Sequence, residues 1–189
     1  MTFCTVDMGN TFRFGAGGVE IPGNVLDAAF ASAERRAMRI FVDPTFPEEI
    51  ELSQLERFDT ITPNQTEAKA LLNREIKTAE DAIAAAKQLS GNGVNAVCLK
   101  LSNGGCVLCE NGDVLLIAAP DVDMVDKTGA GDAFMGALAV ALLDGHSHLE
   151  AARLGVAAAS FSVGRRGAQA SYPSREEFFA FISRYREAA

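Results

Sequence analysis

Histidine is almost absent from this chain: only His146 and His148 occur. No second Cys-x-x-Cys accompanies Cys106-Val107-Leu108-Cys109, so nothing completes the half metal site or redox pair that this spacing could mark. The stretch reads as a strand, on which residues three apart point to opposite faces. Cys4, Cys98, Cys106 and Cys109 are therefore expected to serve as small buried hydrophobes. The sequence also lacks an apolar run of membrane-spanning length and a charged-then-apolar leader, which predicts no membrane partner and a cytoplasmic location. A net charge of −8 repels polyanions, so no nucleic acid partner is expected; a phosphate site, built from local donors, remains allowed. No repeat, low-complexity tract or linker interrupts the 189 residues. One well-packed domain over 1–189 is the expectation.

What is present is an alternation of strand and helix. Asn24 to Arg36 reads as an alanine-rich helix, and Arg39 to Val42 as a buried strand ending at Asp43-Pro44. Phe58 to Thr62 reads as a strand stopped by Pro63, followed by helices at Gln65 to Leu72 and Ala79 to Leu89. Ala96 to Lys100 is a strand; Cys106 to Glu110 and Val114 to Ala118 form a hairpin around Asn111-Gly112. Helices are predicted at Ala133 to Leu143, Leu149 to Val163 and Glu176 to Tyr185. The last two follow the capping-box patterns Ser147-x-x-Glu150 and Ser174-x-x-Glu177. At the start, Phe3 to Val6 suggests a strand and Gly15 to Gly18 a flexible turn. Such alternation implies a parallel sheet covered on both faces.

The chemistry concentrates in Asp126-Lys127-Thr128-Gly129-Ala130-Gly131-Asp132, a glycine-rich loop leading into an apolar helix. The first amides of a helix have no intrahelical partner, and the helix dipole adds positive potential there. Glycines let such a backbone approach an anion closely, so the loop suits a phosphoryl group gathering charge in transfer. Asp132, at the helix start, can accept a proton from an attacking hydroxyl. The loop is neither a Walker A sequence nor a G-x-G-x-x-G fingerprint. A plainer alternative stands beside this one: Asp132 as a helix cap and Gly-Ala-Gly as a close-packing device.

The segment resembles the second signature of the ribokinase-like (PfkB) carbohydrate kinases, D-[TS]-x-G-A-G-D. Asn64-Gln65-Thr66-Glu67 resembles their N-x-x-E motif, Lys100 to Gly105 their nucleotide-binding T-x-G-x-x-G turn, and Arg165 to Ser171 the stretch after the nucleotide-site helix. The matches fall in family order. The resemblance implies a three-layer α/β/α sandwich with a mostly parallel central sheet, of which this chain resembles the C-terminal part alone. The first glycine-rich signature, the main sugar-binding residues and the β-lid are not recognisable in it.

By the same resemblance, Gly129, Ala130 and Gly131 form an anion hole, Asp132 is the base, and Mg2+-ATP donates a phosphoryl group to a sugar hydroxyl. Asn64 and Glu67 help place the magnesium-bound phosphates, Glu67 through water; their independent reading is a capping box. Lys100, Ser102, Asn103, Gly104 and Gly105 run along the nucleotide, with a plain turn as the alternative. Val156 stands where a polar residue often contacts the adenine side. Asp126, Thr128, Ser162, Arg165, Gly167 and Ser171 match the positions around a monovalent cation, usually K+. Lys127 departs from the usual Thr or Ser, and Lys100 and Ser102 from Thr and Gly. A homodimer is a further expectation, and so is the alternative of a silent nucleotide-binding remnant.

Overall fold

The computed structural model describes residues 4–7, 13–16, 23–36 and 38–188. The chain divides into two compact units: Met1–Ser102 with Val107–Leu115, and Asn103–Cys106 with Leu116–Ala189.

The first unit is organised by a sheet whose strands run in the order β1 (Cys4–Asp7), β2 (Arg13–Ala16), β3 (Arg39–Val42), β4 (Thr60–Ile61), β5 (Ala96–Lys100), β6 (Cys106–Glu110) and β7 (Asp113–Ile117). β1 is antiparallel to β2, and β2, β3, β4 and β5 run parallel. The expected flexible turn at Gly15 is instead strand, because Gly15 pairs with Thr5 on one side and Ile40 on the other. Gly17 and Gly18 lie outside the described residues. The Asn111-Gly112 turn forms as expected, both residues holding positive φ (52° and 84°), the geometry that matches strand twist.

Helices α1 (Gly23–Arg35), α2 (Gln65–Leu72) and α3 (Ala79–Gly91) accompany this sheet. α2 starts at Asn64 and α3 at Thr78, each closed by a reciprocal capping box. Alternating apolar positions bury Phe58, Ile61, Leu89, Val97 and Leu99 in one core. Two 3-10 turns, Pro47–Glu49 and Leu52–Arg57, went unpredicted. The second consumes Phe58 as its C-cap, which shortens β4 relative to the expected strand.

The second unit holds α4 (Ala130–Leu143), α5 (His148–Val163) and α6 (Arg175–Ala188). α4 and α5 approach closely at Gly155, where a Cβ would sit 3.1 Å from the Phe134 ring and carbonyl. Ser174 and Glu177 close a capping box at the start of α6. Cys98, Cys106 and Cys109 are buried thiols, and burial pushes the Cys106 thiol up to about 12.

Candidate active site

The loop before α4 is shaped by one carboxylate. Asp126 Oδ1 accepts from the Thr128 amide at 2.9 Å and its hydroxyl at 2.6 Å, while Oδ2 accepts from the Gly167 amide at 2.9 Å. The Thr128 hydroxyl, then the Gly167 and Thr128 amides, lower its pKa to about 2. The amides of Val125 and Asp126 donate to the Val163 carbonyl, fastening the loop to the end of α5.

Gly129 caps α4 with φ 81°, a left-handed conformation costly for any residue with a Cβ. Its hydrogen faces Tyr172 and Ala168: a Cβ there would come within 2.8 Å of the Tyr172 oxygen and 3.0 Å of Ala168 Cα. The expected cradle needs one correction. The Ala130 amide already donates to the Lys127 carbonyl at 3.2 Å, whereas among the described residues no carbonyl accepts from the amides of Gly129, Gly131 and Asp132. Of the three expected amides only that of Ala130 is spent, because the loop closes as a turn before the helix begins.

Asp132 does not cap the helix; Gly129 holds that position without a side-chain bond. The Asp132 side chain is exposed, and its carboxylate accepts from the Tyr172 hydroxyl at 3.4 Å. With Tyr172, Gly136, Val140 and Phe178 it lines an open groove of about 660 Å³ within this unit. A carboxylate facing open space beside these helix-start amides is equipped to take a proton next to an anion.

The other positions of this unit are as follows. Ser162 and Ser171 are buried, their hydroxyls 2.6 Å apart, and Ser171 donates on to the Ala168 carbonyl. With Asp126, Thr128 and Gly167 they present only oxygen and amide chemistry. That oxygen set, beside a carboxylate held ionised, fits a hard monovalent cation. The Arg165 side chain turns instead to Glu177 at 2.8 Å and the Phe161 ring at 4.3 Å. Asn103 and Gly104 are exposed, and Asn103 Oδ1 closes the turn on the Gly105 amide at 3.3 Å. Gly105 is buried, where a Cβ would lie 2.4 Å from the Ile117 carbonyl. Val156 is a second correction: at 1% exposure it is packed in the interior of α5 and offers no surface to an adenine.

In the first unit the carboxyl ends of the parallel strands gather polar groups, the edge where open α/β sheets bind ligands. Asn64 bridges to Lys100 beyond β4 and β5. Glu67 accepts from the Asn64 amide at 2.7 Å and side chain at 2.6 Å, so the cap is real. Burial raises the Glu67 pKa, opposed by Lys100 and the Asn64 amide, while Asp43 adds to the rise. Lys100 Nζ donates to Asp43 Oδ2 at 2.7 Å, and both side chains are mostly buried. The exposed Ser102 amide donates to Gln65 Oε1 at 2.8 Å. Among the described residues no three His, Cys, Asp or Glu gather as a metal cage. Glu67 and Asn64 fit magnesium that arrives on phosphates rather than one held by protein alone.

Asp43 and Tyr172 were missed by sequence reasoning. Asp43 carried a signal, an acid at a strand end before proline, whereas Tyr172 meets Asp132 only through folding.

A carboxylate beside helix-start amides that have no acceptor among the described residues, in an α/β fold, is an arrangement suited to a phosphate group. Residues 10–175 match the model described as pfkB family carbohydrate kinase; the chain belongs to that family. It is 33% identical over 164 residues to the ribokinase of Haemophilus influenzae, covering 87% of this chain and 54% of that protein. The crystal structure of ribokinase from Thermotoga maritima superposes with a TM-score of 0.79 at 35% identity, over 90% of this chain and 56% of that one. Arabidopsis thaliana ribokinase, solved with ribose and ATP, gives 0.81 at 30% identity, over 89% and 55%. The chain thus spans about half the length of the relatives it matches. No helix among the described residues is long and apolar enough to cross a membrane.

Proposed function

We propose that this chain is the phosphoryl-transfer portion, within one kinase domain, of an ATP-dependent sugar kinase, with ribose as the first candidate acceptor. The observation that carries the reading is the exposed Asp132 carboxylate at a helix start whose Gly131 and Asp132 amides have no acceptor among the described residues. Similarity to ribokinases, one of them solved with ribose and ATP, supports the substrate class.

In this mechanism Asp132 takes the proton of the acceptor hydroxyl, making its oxygen nucleophilic toward the terminal phosphorus. The Gly131 and Asp132 amides steady the equatorial oxygens of the migrating group, and Gly129 allows the approach. Asn64 and Glu67 orient the donor phosphates. Asn64 and Glu67 would hold magnesium that arrives with the phosphates, where it would supply charge neutralisation, and Asp126 and Ser171 would hold a potassium ion that steadies the loop. Ser102 to Gly105 line the nucleotide; Lys100 acts beside them through its pair with Asp43.

A second reading, a catalytically silent nucleotide binder, rests on Lys127, a cation in the loop where the family signature has Thr or Ser. Calorimetry separates the two. Heat with both Mg-ATP and ribose, and labelled γ-phosphate appearing on ribose, supports the kinase; nucleotide heat without sugar heat supports the silent binder. No heat with ATP contradicts both.

A further inference from the structure

The phenol of Tyr172 touches two parts of the loop at once. Its oxygen lies 3.4 Å from Asp132 Oδ2, and a Cβ on Gly129 would fall 2.8 Å from the same atom. Among the described residues nothing else hydrogen-bonds the Asp132 carboxylate. The backbone holds the ring there: the Tyr172 amide donates to the Gln169 carbonyl at 3.3 Å, buried Ser171 precedes it and Pro173 follows. Burial, then the negative charge of Asp132, pushes the phenol's ionisation upward, so it remains an O–H donor at neutral pH.

A sugar acceptor must offer Asp132 the group that Tyr172 already offers, a hydroxyl directed at a carboxylate oxygen. At 3.4 Å the existing bond is long and weak, so a better-aligned alcohol can replace it. We propose that Tyr172 is a positioning residue that holds the acceptor-hydroxyl place at Asp132 and is displaced when an acceptor alcohol binds. The proposal rests on Asp132 being the base and adds that entry to the site is a competition between two hydroxyls.

The chain has no tryptophan and two tyrosines, Tyr172 and Tyr185. In a Tyr185→Phe protein all tyrosine emission therefore reports on Tyr172. A carboxylate accepting from a phenol quenches that emission, so adding Asp132→Ala to this background should raise it, while Tyr185 in a Tyr172→Phe protein should not respond. Titrating ribose, or glycerol as a simpler alcohol, into Tyr185→Phe should raise emission saturably without nucleotide. Tyr172→Phe should bind ribose about fivefold more tightly, the worth of one weak hydrogen bond, with KM lowered and kcat lowered as well. Emission indifferent to Asp132→Ala overturns the contact, and emission indifferent to both alcohols overturns the displacement. Failure of the base assignment reads out separately, as transfer that survives Asp132→Ala.

Discussion

Asp126 accepts the amide of Gly167 at 2.9 Å across 41 residues of sequence, tying the loop ahead of α4 to the segment behind α5. The same carboxylate holds Thr128, so one side chain sets the path of the backbone from which Gly129 turns into the helix. Positioning comes first in this account, and the transfer chemistry depends on it.

That carboxylate has a pH signature. Its folded pKa is lowered, from 3.8 to about 2, so its stabilising contribution is present above the unfolded value and is lost as pH falls through the folded one. Wild-type stability should therefore fall between about pH 4 and pH 2 more steeply than that of Asp126→Asn. Denaturant melts across that range check this; parallel curves would count against the assigned bonds.

Gly129 and Gly136 should respond oppositely to alanine. Gly129→Ala forces a Cβ into left-handed backbone and against Ala168 and Tyr172, and should cost about 2–3 kcal/mol as well as ATP binding. At Gly136 a Cβ would meet nothing within 4 Å, so alanine should stabilise α4 by up to about 1 kcal/mol. Calorimetric melting of both variants is the measurement.

Lys100 and Asp43 form a mostly buried ion pair. Lys100→Met takes one partner from the mostly buried Asp43 carboxylate and should cost about 2–4 kcal/mol, whereas Lys100→Met with Asp43→Leu should recover part of it. Urea unfolding of the cycle decides; equal losses in the single and double variants would contradict the pairing.

Much of this was legible in the sequence where local patterns dominate. Arg39–Val42, Ala96–Lys100 and Cys106–Glu110 were each bounded correctly by apolar runs between turn residues, and α2 by its Asn64–Glu67 box. Gly15 was misread because glycine signals a turn locally, while pairing on both sides makes it strand. The loop motif located Gly129 and Asp132, yet which amides are spent depends on the Ala130 to Lys127 bond, a matter of backbone geometry. Val156 was misassigned because family position carries no information about the packing of α5 in this chain. Tyr172 lies 40 residues from Asp132, and no local pattern joins them.

Glu67 separates a structural role from a catalytic one. Asn64→Ala and Glu67→Ala should each cost about 1 kcal/mol as lost caps, but only a phosphate-placing role makes Glu67→Ala also raise the magnesium concentration needed for half-maximal ATP binding. Calorimetry at varied magnesium tests it, and an unchanged magnesium requirement would leave the cap alone.

The most direct test follows phosphoryl transfer from Mg-ATP to ribose by phosphorus NMR in wild type and Asp132→Ala, both checked for equal melting temperature. Wild type should form ribose phosphate, and the variant should do so at a rate about 10² to 10⁴ lower. Equal rates from the two proteins would contradict Asp132 as the base.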